Sequence, residues 1–414
     1  MTTSTTTDIG LGASLSEAGA RLYPAADWYD AEALLSHGER EVLARLRDFL
    51  DAEAKPILAD YWERGEFPEQ LAQPLIDLDL MEPFDAPARE IFHGFRIFEL
   101  ARSDASLATW YTAQAGLFRT AIRVGASGEQ QREWMPRVID FSLKGVFSLT
   151  EPEHGSDIAR GLATTARFEP GAGGGTGSGS WVLDGAKRWI GGASTADVLC
   201  VFARDIADGQ VKGFLVDRTA PGVALEKIHG KASLRMMQNA HIALDNVRVP
   251  EARRLHNVNS FKDVAAMLRA MRSDVAWIAT GVQAGAFEAA LAYVKGRQQF
   301  GRSLGSFQLV QEKLARMLGN VTASLSLVVR LTEQQGHGIY RDQDSALAKM
   351  QTSLMMRETV ALAREVAGGN GITLAADVAR FHADAEAVYS YEGTHEINAL
   401  IVGRALTGHS AFTH

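Results

Sequence analysis

The apolar residues of this chain change their spacing twice, and those two changes limit its fold more than any single residue does. From about residue 30 to 144 they recur at helical intervals, as in Val42, Leu43, Leu46, Phe49 and Leu50. Pro56, Pro68 and Pro83 interrupt the pattern, so several helices are expected rather than one. Between about 146 and 250 the pattern becomes short β-type runs. Residues 181–190 (WVLDGAKRWI) predict a hairpin whose Asp184-Gly185 supplies a type I′ turn, and 198–203, 213–216 and 242–249 predict further strands. From residue 260 helical spacing returns. Ser260 and Asp263 form a capping box, after which Val264, Met267, Leu268, Met271, Val275, Ile278 and Val282 hold one face. Further helices are predicted over about 306–333 and 344–367, the latter stopping at Gly368-Gly369-Asn370-Gly371, and another from near Glu396. Helices, then strands, then helices predict an α+β fold in four stretches: a tail (1–29), a helical domain (30–146), a β domain (147–258) and a helical bundle (259–414).

Composition narrows the function classes. With 414 residues, 46% of them hydrophobic, the chain can bury a large core. Its net charge is −8 and it has no run of Lys or Arg, which excludes a nucleic-acid strip. Cys200, the single cysteine, lies in the apolar run 198–202, so packing is expected of it and an internal disulfide is excluded. The first twelve residues are Thr-rich and lack a basic and apolar leader, no long uninterrupted apolar run predicts a membrane span, and the last residues carry no peroxisomal tripeptide; a cytoplasmic protein is expected. The run 171–180 (GAGGGTGSGS) lacks the spacing of a phosphate loop and predicts a flexible tip between two strands. No metal-binding pattern appears.

Near the C-terminus, residues 389–398 (YSYEGTHEIN) put Glu392 between an aromatic residue and a glycine, just before an apolar helix. A carboxylate so placed can be desolvated, which raises its pKa toward the range of a general base at neutral pH. A loop glutamate capping the next helix is the plainer alternative. His395, a lone histidine at a helix start, is expected to be a contact residue. Upstream, residues 147–157 (FSLTEPEHGSD) offer the Thr150 and Ser156 hydroxyls, with Gly155 permitting close approach of backbone to a ligand. Phe147 suits either a ligand wall or the core.

These two motifs, together with Arg297-x-x-Phe300-Gly301, stand in the order and spacing of the acyl-CoA dehydrogenase family, and the resemblance spans about residues 28–410. It implies a helical N-terminal domain, a barrel-like central β domain and a C-terminal four-helix bundle. It also implies FAD, an acyl-CoA thioester substrate, electron-transfer flavoprotein as acceptor, and a homotetramer built as a dimer of dimers. By the same resemblance Glu392 is the base, and FAD contacts fall to Phe147, Leu149, Thr150, Gly155, Ser156, Trp189, Ile190, Gly191, Thr394 and Glu396. Arg297, Phe300, Gln308, Glu365, Gly368 and Gly369 would reach the cofactor shared with a second copy, and guanidinium forks suit a pyrophosphate. Ser156, Tyr391, Arg235, Trp110 and Tyr111 are the implied substrate contacts, with Arg235 packed near the catalytic carboxylate.

The chain departs from the family pattern in two places. Where the family has Thr-Asn after Trp-Ile, this chain has Gly191-Gly192, and a glycine at the first of these positions also occurs in plant peroxisomal short-chain acyl-CoA oxidases, which this chain resembles; the change removes a side-chain hydrogen bond to the flavin and is expected to open space there. Dioxygen is therefore an alternative acceptor, and a monooxygenase on the same fold is a further alternative that retention of Glu392 argues against. The sequence is also similar to glutaryl-CoA dehydrogenases, but Ala108 stands where those carry the arginine that binds the distal carboxylate. With Trp110 and Tyr111 expected to point inward, a short or short-branched acyl group is favoured over glutaryl-CoA. A non-enzymatic helical interaction protein is the reading from a different class.

Overall fold

In the computed structural model the described residues are 21–81, 88–171 and 179–412. Seven helices come first: α1 (His37–Phe49), α2 (Lys55–Arg64), α3 (Ala72–Leu75), α4 (Glu90–Ser103), α5 (Ala105–Tyr111), α6 (Arg119–Gly125) and α7 (Gly128–Ile139). Their starts follow local chemistry. Ser36 caps α1 with Glu39 bonding back, Ser127 and Gln130 do the same for α7, and Asp104 accepts the Ser106 and Leu107 N–H groups at the start of α5. A wider, π-type stretch, Thr112–Phe118, joins α5 to α6.

The middle of the chain is a curled, mixed seven-stranded sheet: β1 (Gly145–Ser148), β2 (Thr165–Pro170), β3 (Gly179–Gly191), β4 (Val198–Asp205), β5 (Val211–Asp217), β6 (Val223–Lys227) and β7 (Asn239–Pro250), with a short helix α8 (Ile158–Gly161) after β1. Its order is β1-β4-β2-β3-β7-β6, with β5 on the free side of β4; β1 and β2 run parallel to β4. The hairpin expected at Asp184-Gly185 does not form. Residues 181–190 lie in one long strand, and Gly185, at φ +147°, sits at a bulge in the pairing with β7. Any Cβ at 185 would stand 2.7 Å from Thr164 Cα, so close packing of β3 on the 164 backbone, not a turn, is what this glycine serves. The glycine-rich run lies outside the described residues apart from its ends, which β2 and β3 hold opposite each other at Pro170 and Gly179.

The third part holds α9 (Phe261–Gly296), a two-residue hairpin β8 (Gln298–Gln299) and β9 (Arg302–Ser303), and α10 (Gln308–Gly336), α11 (Asp342–Val366), α12 (Val378–Ser390) and α13 (His395–Thr407). Helix α12 had no expectation in the sequence reading; its buried face mixes Val378, Phe381, Ala385 and Val388 with the charged Arg380 and Asp384, which blurs the apolar spacing. Helices α9 and α10 are long and apolar enough, by length and composition, to cross a bilayer, although neither holds a long uninterrupted apolar run. Most of the apolar α9 window (78%) is buried inside the protein, as in the core helix of a soluble bundle. Trp277 on α9 marks that core, packed on Phe95 and Phe98 and donating to Thr332 Oγ1 at 3.0 Å. Cys200 is buried in the sheet with its thiol pushed far up by desolvation, consistent with a packing role.

Candidate active site

Glu392 occupies the short turn between α12 and α13, and its backbone is left-handed (φ +55°), a conformation costly for a residue with a Cβ. Three neighbours hold that turn. Lys349, buried on α11, donates to the Tyr389 carbonyl at 2.6 Å and the Gly393 carbonyl at 2.9 Å. Asn398 Nδ2 also bonds Gly393 O (2.8 Å), and the Tyr391 hydroxyl meets Thr109 Oγ1 on α5 at 3.3 Å. Glu392 does not cap α13. That task falls to Thr394, whose Oγ1 accepts from Ile397 N, so the plainer alternative for the glutamate fails. His395 is a contact residue, its ring stacked on Tyr389 at 5.5 Å. Glu396 is exposed.

Among the described residues the Glu392 carboxylate accepts no hydrogen bond. Burial raises its pKa, the Arg272 and Lys349 charges oppose that rise, and Asp274 adds to it. These three charged residues were missed by the sequence reading. Their signal was present: Arg272 and Asp274 interrupt an apolar stretch of α9, and Lys349 lies on the buried face of α11.

Arg235 is not part of this recess. Its guanidinium stacks over Trp62 and donates to the Trp62, Glu63 and Lys231 carbonyls, tying the 231–237 loop to the end of α2. The arginine whose charge reaches Glu392 is Arg272. Trp110 also turns away, stacked on Phe67 and edge-on to Phe141, while the Tyr111 hydroxyl donates to Leu80 O. On α5 it is Thr109 that faces Tyr391; residues one and two positions on project from other sides of the helix.

A second group of candidates gathers at one edge of the sheet. The buried Lys187 ammonium bonds Glu151 (2.8 Å) and Leu149 O (3.2 Å), and Arg188 N bonds Thr150 O, so the 149–156 loop is latched to β3. Glu151 also accepts from the Ala163 and Thr164 N–H groups. Leu149 and Ile190 are buried, Thr150 is partly exposed, and Gly155 and Ser156 are open to solvent. Trp189, half exposed and left-handed at φ +64°, carries the Arg188 guanidinium 5.0 Å from its ring centre. Phe147 packs on Phe202 at 4.6 Å, the core role that the sequence left open. Gly191 does not open space. A Cβ there would lie 2.3 Å from the Met237 methyl, so methionine fills the room a side chain would have used.

A third group is spread over the outer surface. Arg297 ends α9, and the β8–β9 hairpin turns at Phe300-Gly301, both left-handed, presenting the Phe300 ring 92% exposed. Gln308, Glu365, Gly368 and Gly369 are exposed, with Glu365 paired to Lys313 and open space beside both glycines.

The chain thus combines a curled sheet between two helical parts with a partly buried carboxylate in the turn between α12 and α13. The chain belongs to the acyl-CoA dehydrogenase family, a family of FAD-dependent oxidoreductases: residues 36–142, 146–247 and 261–407 match its N-terminal, middle and C-terminal domains. A glutaryl-CoA dehydrogenase from Mycobacterium smegmatis, solved in complex with FADH2, superposes with a TM-score of 0.88 at 30% identity, covering 94% of this chain and all (100%) of that one. The mitochondrial short-chain specific acyl-CoA dehydrogenase of Bos taurus is 29% identical over 86% of this chain and 87% of its own. A 3-(aryl)acrylate reductase from Clostridium sporogenes is 27% identical over 89% of this chain and 98% of its own.

Proposed function

We propose that this protein dehydrogenates a short or short-branched acyl-CoA across its Cα–Cβ bond, with Glu392 as the base that takes the α-proton. The observation that carries this reading is a partly buried carboxylate held in a left-handed turn with no hydrogen-bond partner among the described residues. A base needs a free lone pair at the reacting proton, and burial keeps the carboxylate basic. The Arg272 and Lys349 charges oppose the rise in its pKa.

The residues present suit FAD. Two rings, Trp189 and Phe300, stand exposed in left-handed backbone, and Gly155, Gly368 and Gly369 leave open space where a ligand can press on the main chain. Ser148 Oγ, one residue before Leu149, and His395 Nδ1, beside Glu392, are buried without a protein partner. Thr150, Ser156 and Trp189 would hold the flavin, and Arg297, Phe300, Gln308, Gly368 and Gly369 the part shared with a second copy. When bound, FAD supplies the acceptor for the β-hydrogen. Exposed Phe300, Leu309 and Ile372 (92, 78 and 74%) support burial against a second copy, and we place the enzyme in the cytoplasm as a dimer of dimers.

Substrate and acceptor follow from two side chains. Asp274, buried near Glu392, would repel a terminal carboxylate and be stranded by a long saturated tail, which supports a short acyl group over glutaryl-CoA. Met237 closes the space beside Gly191, which supports electron-transfer flavoprotein over dioxygen. Anaerobic mixing with butyryl-CoA tests the reaction: bleaching of flavin absorbance is expected, then rapid reoxidation by electron-transfer flavoprotein and slow reoxidation in air. No bleaching with any acyl-CoA overturns the reaction; fast air reoxidation makes the protein an oxidase. Arg297→Ala should release FAD on a desalting column, and full retention would refute the shared site.

A further inference from the structure

The segment 231–239, which leads from β6 into β7, bonds both the Trp189 edge of the sheet and the helix before Glu392. Its hub is the partly buried Lys231, whose Nζ donates to Leu234 O and Asn239 Oδ1, each at 2.7 Å, and to Met237 O. These three acceptors take up all the protons of the ammonium. An ammonium only donates, so it turns the Asn239 amide one way: Oδ1 faces Lys231, and Nδ2 donates to Trp189 O at 2.9 Å. Gly192 N donates to Gln238 O at 2.8 Å, and the Met237 methyl fills the room beside Gly191. The stretch so gripped is where the β3–β7 register slips, between Lys187 and Ile190, and where Trp189 is left-handed. Such backbone costs on the order of 1–3 kcal/mol and persists only where its surroundings hold it.

The other end of the segment grips α12. Leu234, itself left-handed (φ +44°), donates its N–H to Asp384 Oδ1 at 2.7 Å. Ser233 Oγ donates to Asp384 O at 3.2 Å and accepts from Ala387 N at 3.1 Å, and Ala387 O takes the Tyr391 N–H at 3.0 Å, one residue short of Glu392. We propose that Lys231 is a positioning residue for the reaction: by fixing this segment it sets the spacing between the Trp189–Gly192 edge and the turn that carries Glu392. The inference rests on the readings that FAD packs on Trp189 and that Glu392 is the base. Taking a proton from Cα and a hydrogen from Cβ of one acyl group needs both acceptors at a fixed separation, and a displacement of about 1 Å costs on the order of 10²-fold. Lys227 plays a different part. It ties β6 to the end of α2 through Gly65 O (2.8 Å), away from both gripped ends.

The test uses the FAD-loaded enzyme. Lys231→Met keeps the length of the side chain and removes all three bonds. FAD should stay bound, and butyryl-CoA should bind the Lys231→Met, Glu392→Gln double variant as it binds Glu392→Gln. Single-turnover flavin reduction should slow by about 10–100-fold, and the visible circular dichroism of the bound flavin should change. Lys227→Met should lower the melting temperature while leaving the reduction rate and the flavin spectrum as they were. If Lys231→Met fails to fold, the two ends are cut singly: Asn239→Ala should change both spectrum and rate, Ser233→Ala the rate alone. Wild-type rates in a folded Lys231→Met enzyme or in both single-end variants overturn the proposal, as does a rate lost in Lys227→Met in step with its melting temperature. If no acyl-CoA reduces the wild type, the dehydrogenase reading falls instead, and the flavin spectrum still decides whether Lys231 holds the Trp189 edge.

Discussion

Asp384, buried, and Glu392, partly buried, are carboxylates eight residues apart, and burial raises the pKa of both, yet their surroundings are opposite. Asp384, on α12, is pushed up to about 7, and its Oδ1 accepts two donors: Trp62 Nε1 at 2.9 Å from the first helical part, and Leu234 N at 2.7 Å from the sheet region. Nearby, Arg380 bridges Asp104 and Asp377 (2.6 and 2.9 Å), so one face of α12 locks all three parts of the chain together. Glu392 has charges around it and no bond to its oxygens. A raised carboxylate pKa therefore does not by itself mark a base. What separates the two is whether the lone pairs are already taken.

The largest expected effect breaks the comparison at its functional end. Glu392→Gln keeps the shape and removes the proton acceptor, so FAD should stay bound while reduction by acyl-CoA slows about 10²–10⁴-fold. In the wild type the same rate should rise with pH through the Glu392 pKa, which lies above the ordinary carboxylate value, because only the ionised form accepts a proton. Near-normal single-turnover reduction by the Gln variant would move the base elsewhere.

Lys349→Met should have the next largest effect. It orphans the Tyr389 carbonyl at a cost of about 1–3 kcal/mol, leaves the Gly393 carbonyl with Asn398 as its remaining donor, and loosens the turn that holds Glu392. Melting temperature and kcat should fall together; a stable variant with unchanged kcat would show that the turn holds itself.

Asp384→Asn should have the smallest effect, because the Asn oxygen can accept from both Trp62 and Leu234. The raised folded pKa sets the sign. The folded state holds the Asp384 proton more tightly than the unfolded chain, so its contribution is full below about pH 4 and is lost as pH rises through about 7. Thermal melts from acid to neutral pH should lose that slope in the Asn variant, which should match or exceed the wild type above pH 7. A large destabilisation at all pH values would show that the charge itself is required.

Much of the fold was legible because periodicity survives averaging over many residues. Helical spacing in 261–296, the alternation near 242–249 and the continuous apolar run at 198–203, buried on both faces, each reflect burial along a whole element. The expected hairpin failed for a local reason: Asp-Gly suits a turn, but the pairing partner of 181–190 is β7, across a bulge, and long-range pairing overrode the dipeptide. The Glu392 turn was legible too, since glycine beside a carboxylate at a helix boundary is a property of neighbours in sequence. Arg235 and Trp110 misled because an arginine stacked on Trp62 and a tryptophan stacked on Phe67 have the same composition as a site wall.

The sequence alone determined the α+β order, the family, and the carboxylate on the last turn, because these depend on pattern and on residues adjacent along the chain. Only the tertiary structure decided which charges surround that carboxylate. Arg272 and Lys349 lie far from Glu392 in sequence, Thr109 meets Tyr391 across 282 positions, and Met237 occupies the space at Gly191 from the loop before β7. Electrostatics and packing act through distances in space, and chain order does not encode those distances.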